Sequence, residues 1–316
     1  MEKVITMREI ITNTRKIKLH ENFLEDCNLK DIFYNGLETV NCGYNDYVNV
    51  KAWLFVISEK LFSSDSEELA YVACDALKLL LCNAKFLNVI VYKLLKKKLE
   101  KYILRIMGIC CLTVASRMQQ INETTCFKEI LEISYLKDKL NEYNIRQIEM
   151  DVFVSLAHSG FCFEKIITPV NELNHIAEFL ETYESLFENG DFALFKSSSI
   201  LMLKIIYCMV PVFNMNIYNY SVVNYVLKLF IKNNDAYNYV FQILKNHYSD
   251  KEIIDLSNFQ NHMFNIINAF KNTDIFAAKD SILKNPVDID LFEKINTRIE
   301  MEWFHGSSKE KMQLQA

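Results

Sequence analysis

Between Arg105 and Arg117 the chain has no charged residue, and the string LRIMGICCLTVASRM at 104–118 has the length of a helix. A helix that is apolar on every side is stable only when other helices surround it. Gly108 and Ala115 are small enough to let neighbouring helices approach closely. A glycine inside a helix costs about 1 kcal/mol, which suggests a packing reason for Gly108. The string therefore predicts the central helix of a helical bundle.

Turn-forming residues are scarce along the chain. Its 316 residues include only 6 Gly and 3 Pro, which do not cluster. Sandwiches and barrels need many tight turns, so this scarcity favours helices joined by short connections. A second nearly uncharged string, at 200–210, lies in the other half of the chain and is interrupted only by Lys204. Because the length allows two cores of ordinary size, we expect an all-α fold of two successive helical units.

The composition favours a folded intracellular protein. The chain is 51% hydrophobic, which provides enough apolar surface to offset the entropy lost on folding. Nine cysteines without Cys-x-x-Cys spacing indicate a reducing compartment. The first 15 residues lack the apolar core of a signal peptide, and 200–210 is too short to span a bilayer, which takes about 20 apolar residues. We therefore expect no membrane association.

The usual motifs of catalysis are absent from the sequence. It contains neither GxxxxGK[ST] nor GxGxxG, and its six histidines are too far apart to form a helical pair of metal ligands. The net charge of −5 argues against a general nucleic-acid binder, which needs a basic excess. We expect no enzymatic activity, no cofactor and no metal, and instead a function in binding other proteins.

Four strings, in this order, resemble the cyclin family. AWLFVISEKL at 52–61 is similar to the first cyclin-box helix, with Trp53 at the family's tryptophan, and 104–118 resembles the third, central helix. IEMDVFVSL at 148–156 resembles the fifth helix, and ITPVNEL at 167–173 resembles the Thr-Pro segment that opens the family's second helical unit. The match covers roughly residues 45–175 well and 176–250 only by the order of helices.

The resemblance implies a cyclin-like fold with a first unit at 45–163 and a second, shortened unit at 164–250. Residues 1–44 would form an N-terminal helical extension, and 251–316 a last helix and a tail. It also implies a catalytically inert regulatory subunit that binds and activates a cyclin-dependent kinase in the nucleus or cytoplasm, affecting the cell cycle or transcription. The alternatives are a cyclin-fold adaptor in transcription that needs no kinase, and a helical scaffold.

The family's kinase contacts correspond by resemblance to Arg117 and Glu149. Glu149 lies on a helix whose buried face is expected to consist of Ile145, Ile148, Val152 and Leu156, so we expect Glu149 to be accessible. Glu149→Lys should then disrupt kinase binding without unfolding the chain. The alternative is an intramolecular Arg117–Glu149 pair that braces two helices.

The chain also departs from the family. Met118, Gln119 and Gln120 stand where the family has acidic residues after its lysine. Tyr47 replaces an arginine that braces the fold, so a packed aromatic must substitute for it. Of the residues that form the family's docking groove, this chain keeps only Trp53. The groove's other positions carry residues that differ from the family's: Asp46, Asn49 and Val56. Such erosion fits a fast-evolving or virus-encoded cyclin.

Two further segments carry unusual charge patterns. Residues 93–101 contain five lysines interleaved with leucines, which predicts an amphipathic helical face, either simply solvated or used in nuclear import or phosphate contact. Beyond Pro286, acidic and apolar residues alternate, as in segments that fold on a partner such as the transcription machinery. The residues of this activation-type tail are Asp288, Asp290, Leu291, Phe292, Glu302, Trp303 and Phe304. The alternative is a terminal helix docked on the second unit.

Overall fold

The computed structural model describes residues 27–62, 66–118, 131–132, 136–161, 168–187, 191–209, 215–231, 233–248, 256–271, 283 and 289–301. The described residues contain helices and turns and no strand, which confirms the all-α prediction. The chain divides into two compact units, residues 1–168 and residues 169–316.

Six described helices form the core of the first unit. They are α1 (Cys27–Thr39), α2 (Tyr44–Leu61), α3 (Ser66–Leu81), α4 (Ala84–Lys96), α5 (Ile103–Met118) and α6 (Glu142–His158). Helix α5 packs against α2, α3 and α6, and every residue from Ile106 to Ser116 is buried. The uncharged string is therefore the central helix of this unit.

Helices α2 and α5 cross at Gly108. A Cβ on Gly108 would lie 3.2 Å from Val50 Cγ1 and 3.3 Å from Leu54 Cδ1, both on α2. A methyl group here would crowd the ends of these two side chains, and a side chain larger than a methyl group would push the two helices apart. Ala115 is buried on the same helix, and Trp53 is half-buried with the Arg105 guanidinium carbon 5.6 Å from its ring centre. The small residues of α5 thus lie where other helices approach it.

Three helices of the first unit end in the same way, although only one of them ends at a glycine. Asn41, Lys98 and Gly160 have positive φ values of 52°, 58° and 72° and follow the ends of α1, α4 and α6. In each case the next residue's N–H donates to a carbonyl five residues back, as in Leu99 to Leu94 at 3.2 Å. This is the Schellman arrangement, which satisfies the last helix carbonyls. Helices can therefore end sharply in a chain that is poor in glycine.

Helix α1 belongs to the first unit and is not an extension outside it. It packs on α3 and α4, and Phe33, Leu37 and Val40 are buried. Gly36 lies so close to the Leu81 carbonyl at the end of α3 that a Cβ would overlap the oxygen. The boundary expected between residues 44 and 45 therefore does not separate two bodies.

The second unit contains six described helices. They are α7 (Pro169–Glu181), α8 (Asp191–Met209), α9 (Met215–Phe230), α10 (Asn234–His247), α11 (Leu256–Lys271) and α12 (residues 289–301). Helix α8 packs against α7, α9 and α11 and contains the second nearly uncharged string. By length and composition alone α8 could cross a membrane, but 56% of its apolar window is buried within the protein, as expected for a core helix.

Helix α12 completes the second unit. Its apolar side chains Leu291, Phe292, Ile295 and Ile299 are buried, and the Phe292 ring packs edge-on against Phe270 of α11 at 5.7 Å. The Lys271 ammonium lies 3.0 Å from Glu300, and Arg298 donates to the Leu229 carbonyl at 3.1 Å.

The described part of the tail is thus a helix docked on the second unit, which was the second of the two interpretations. Asp290 is exposed on α12, whereas Asp288, Glu302, Trp303 and Phe304 lie outside the described residues. Because α11 and α12 pack with α8 and α9, the second unit extends well past residue 250.

Candidate functional site

Arg117 and Glu149 meet where the central helix ends. Arg117 is the penultimate residue of α5, and Glu149 lies in the middle of α6, the helix that packs along it. The Arg117 Nε lies 3.1 Å from Glu149 Oε1. The Arg117 side chain is 36% exposed, whereas that of Glu149 is only 8% exposed. One charge therefore lies at the surface and its partner lies beneath it.

The expectation that Glu149 is accessible is wrong. Ile145 and Phe153 lie one turn before and one turn after Glu149, and both are buried. Residues four apart share a side of a helix, so Glu149 continues a stripe that faces the core. Arg146, by contrast, is exposed and pairs with Glu142 at 2.6 Å. The buried face of α6 is therefore wider than the set used to predict it.

Burial dominates the electrostatics of Glu149. Burial raises the pKa of this carboxyl above its ordinary value, against the smaller opposing effects of Arg117, the Thr113 hydroxyl and Arg146. Oε1 makes no hydrogen bond of good geometry, so its contact with Arg117 is an ion pair without a well-aligned N–H donor. The same carboxylate helps raise the pKa of the buried Cys110 thiol, which burial raises most. Arg117 therefore offsets only part of the desolvation of Glu149.

The pair fixes the position of a partly exposed guanidinium. Glu149 holds the Nε edge of Arg117, and about a third of the Arg117 side chain still reaches solvent. The exposed part of this guanidinium lies where a carboxylate or phosphate of a partner can approach it. Met150, 48% exposed, adds an apolar side chain to the outer face of α6. This arrangement of a charged and an apolar side chain can bind a partner.

The other positions compared with the family have structural roles. Tyr47 is buried, packs edge-on against Phe33 at 4.9 Å and has the Lys51 ammonium 4.7 Å from its ring centre. Asp46 accepts a hydrogen bond from the Gly43 N–H at 2.8 Å, and Val56 is buried. Tyr47 is thus a packed aromatic. Gln119 and Gln120 lie outside the described residues.

Within the described part of the chain, no group of three or more His, Cys, Asp and Glu side chains is arranged to hold a metal ion.

The lysine segment contains contacts that were not predicted. Lys93 pairs with Asp151 at 2.6 Å, and Lys97 donates to the Asn144 side-chain oxygen at 2.6 Å, so two lysines of the segment tie it to α6. A long lysine side chain reaches a neighbouring helix without leaving a periodic signal in the sequence. The partners Asp151 and Asn144 follow only from the way in which α4 and α6 pack together.

These features define a class: an all-helical protein of two units, with a half-buried ion pair at the end of the first unit's central helix. In comparisons with known proteins, no family model, curated protein or solved structure matched the chain.

Proposed function

We propose that the chain is a cyclin-like regulatory subunit that binds and activates a cyclin-dependent kinase. The observation that carries this proposal is the position in the chain at which the first unit ends and the second begins. The division falls between Thr168 and Pro169, inside ITPVNEL at 167–173, the string that resembles the opening of the second cyclin unit.

The other resembling strings support the proposal by their positions. The string at 52–61 lies in α2, 104–118 spans nearly all of α5, and 148–156 lies in α6. In the first unit, α5 is enclosed by α2, α3 and α6. A third helix enclosed by its neighbours is the central helix that the resemblance implies. Helix α4 lies in the chain between α3 and this central helix.

The proposed kinase contact differs in detail from the one inferred by resemblance. Arg117 reaches the partner, and Glu149 acts through Arg117 by fixing its guanidinium, since the carboxylate itself is covered. Arg146 and Met150 are exposed on the same helix and extend the contact surface.

The test uses the purified full chain and a panel of purified cyclin-dependent kinases. We expect one kinase to bind and to gain activity towards a peptide substrate when the chain is added. The double variant Arg117→Gln/Glu149→Gln removes both charges without leaving either one buried alone, and it should weaken binding at least about tenfold, since losing a charged interface contact costs roughly 2–5 kcal/mol.

The matched control is Asp290→Asn/Lys294→Gln, which removes an exposed ion pair of α12 with a 2.7 Å separation. It should leave kinase binding unchanged. Equal binding by both double variants would assign the Arg117–Glu149 pair a bracing role only. Failure of every kinase to bind the unaltered chain would reject the proposed function itself.

A further inference from the structure

Helix α4 and the turn after it form a basic surface on an acidic protein. Residues 84–101 include six lysines and one acidic residue, Glu100, so this segment carries a charge of +5. The net charge of the chain is −5, which leaves −10 on all other residues. Such a concentration of positive charge within about five helical turns creates a strong local electrostatic field.

The outer side of α4 carries a stripe of four residues that we name the basic ridge: Lys85, Val89, Tyr92 and Lys96. Their spacing of four, three and four places them along one side of the helix. Val89 is 46% exposed and Tyr92 is 58% exposed, and the Lys96 ammonium lies 4.4 Å from the Tyr92 ring centre. The ridge therefore has apolar side chains in the middle and a lysine at each end.

The opposite side of α4 anchors the ridge. Leu87, Ile90 and Leu94 are buried, and Lys93 and Lys97 bind Asp151 and Asn144 of α6. The helix is thus held in place by its own core side chains and by two of its lysines. The ridge does not have to be ordered when a partner arrives, which lowers the entropic cost of binding.

The remaining lysines of the segment have no acidic partner within the part of the chain that the structure describes. Lys85, Lys96, Lys98 and Lys101 have no carboxylate within ion-pair distance there. Several other basic side chains of the first unit do have an acidic or polar partner: Lys78, Lys93, Lys97, Arg117, Lys137 and Arg146. Two of these lysines, Lys85 and Lys96, flank the exposed Val89 and Tyr92, so the ridge combines positive charge that no described carboxylate pairs with exposed apolar area.

We propose that the basic ridge binds an acidic segment of a partner protein, with two carboxylates flanking apolar side chains. Lys85 and Lys96 are eleven residues apart, which is about 16 Å along a helix at 1.5 Å per residue, so the two carboxylates must be separated by a similar distance. The apolar side chains between them cover Val89 and Tyr92. This contact is independent of the Arg117–Glu149 pair and of the proposed kinase.

The charge of the whole chain favours a short acidic segment over an extended polyanion. A DNA duplex or an anionic membrane presents negative charge over a large area. It would therefore approach not only the ridge but also the other residues of the chain, which together carry a net charge of −10. Repulsion between exposed charges acts over about 8–10 Å at physiological salt. A short segment contacts the ridge alone, and its apolar side chains match those of Val89 and Tyr92, which phosphates do not.

Three fluorescein-labelled peptides of one helical host sequence test the proposal by fluorescence anisotropy at about 0.15 M salt. The first has two Glu residues eleven positions apart that flank Leu and Phe. The second replaces both Glu with Lys, and the third replaces Leu and Phe with Ser. We expect the first peptide to bind the chain at least about tenfold more tightly than either of the others, because only it matches both charge and apolar surface.

The variant Lys85→Glu/Lys96→Glu should lower the affinity of the first peptide at least tenfold, and Tyr92→Ser should lower it severalfold. The matched control, Lys245→Glu/Lys294→Glu, makes the same change in net charge at exposed lysines of the second unit and should leave the affinity unchanged. No binding of the first peptide, or equal loss in both double variants, overturns the proposal. Tighter binding to phosphatidylserine vesicles or to a short DNA duplex also overturns it.

Discussion

Gly36 of α1 lies directly against the backbone carbonyl of Leu81 at the end of α3, with no room for a Cβ between them. The contact joins the first described helix to the third and closes one side of the first unit. A flexible side chain can move away from a new methyl group, but a helix carbonyl cannot. The two glycines inside helices of this unit, Gly36 and Gly108, should therefore respond very differently to substitution.

Gly36→Ala should lower the free energy of unfolding by about 2 kcal/mol or more, because overpacking against backbone forces the helices apart. Gly108→Ala should change it by less than about 1 kcal/mol. There the new Cβ meets the ends of the Val50 and Leu54 side chains, and the gain in helix propensity offsets the crowding. Urea unfolding followed by Trp53 fluorescence, in a Trp303→Phe background, measures both. Equal losses would contradict the assigned contacts.

Glu149→Lys should unfold or strongly destabilise the first unit, by roughly 3–5 kcal/mol, because it buries a positive charge beside Arg117. Glu149→Gln should cost less than about 1 kcal/mol, since it removes a carboxylate whose burial outweighs its attraction to Arg117. Thermal melts followed by circular dichroism compare the two variants. An unchanged melting temperature in Glu149→Lys would show that the carboxylate is accessible in solution.

The pH dependence of stability should reveal the same group. The pKa of Glu149 is higher in the folded chain than its ordinary value of 4.5, so just above pH 4.5 the folded state binds more protons than the unfolded state. Its favourable contribution is therefore complete below pH 4.5 and is lost as the pH rises through the folded pKa.

Glu149→Gln should consequently gain stability relative to the unaltered chain as the pH rises above 4.5 and through the folded pKa of Glu149. Denaturant titrations at several pH values provide the measurement. Parallel curves for Glu149→Gln and the unaltered chain would contradict the prediction.

Phe292→Ala should destabilise the second unit by roughly 3–5 kcal/mol, as expected for truncation of a buried aromatic side chain that packs on Phe270. Ile289→Ala, at an exposed position of the same helix, should change stability by less than about 0.5 kcal/mol. Hydrogen exchange of α11 amides distinguishes the two variants. Unchanged protection in Phe292→Ala would mean that α12 contributes nothing to the core.

Lys98→Gly should stabilise the first unit by about 0.5 kcal/mol. Lys98 has φ = 58°, a conformation that is strained by roughly 1–2 kcal/mol for residues with a Cβ, and glycine relieves the strain while adding entropy to the unfolded chain. Lys97→Gly is the control at the preceding residue, where φ is −94° and no gain is expected. Thermal melts of the two variants decide the matter.

The sequence predicted the helical class and the central helix because both depend on patterns within one segment. An uncharged string such as 106–116 must be enclosed wherever its neighbours lie, and α5 is enclosed. The end of α4 was not predictable in this way, because a lysine occupies the position usually taken by glycine. At this end the Leu99 N–H donates to the Leu94 carbonyl, and both side chains are buried, which depends on how neighbouring helices pack around them.

The candidate site was predictable only in part. The resemblance paired Arg117 with Glu149, and the two residues do lie together, but the sequence did not indicate which of them faces solvent. Exposure of Glu149 depends on how many helices enclose α6, and a hydrophobic stripe of Ile145, Ile148 and Val152 underestimates that number. The tail was ambiguous for the same reason, since acidic and apolar residues alternate equally well in a docked helix.

The position of α12 near the end of the sequence has a consequence for how the protein folds while it is being synthesised. Residues 289–301 leave the ribosome about 120 residues after Thr168, which at 5–20 residues per second is a delay of roughly 6–24 s. The first unit can reach its native state within that time. The second cannot, because Phe270 stays uncovered until Phe292 has been made. A molecular chaperone that shields α11 during this interval would protect every newly made chain from aggregation.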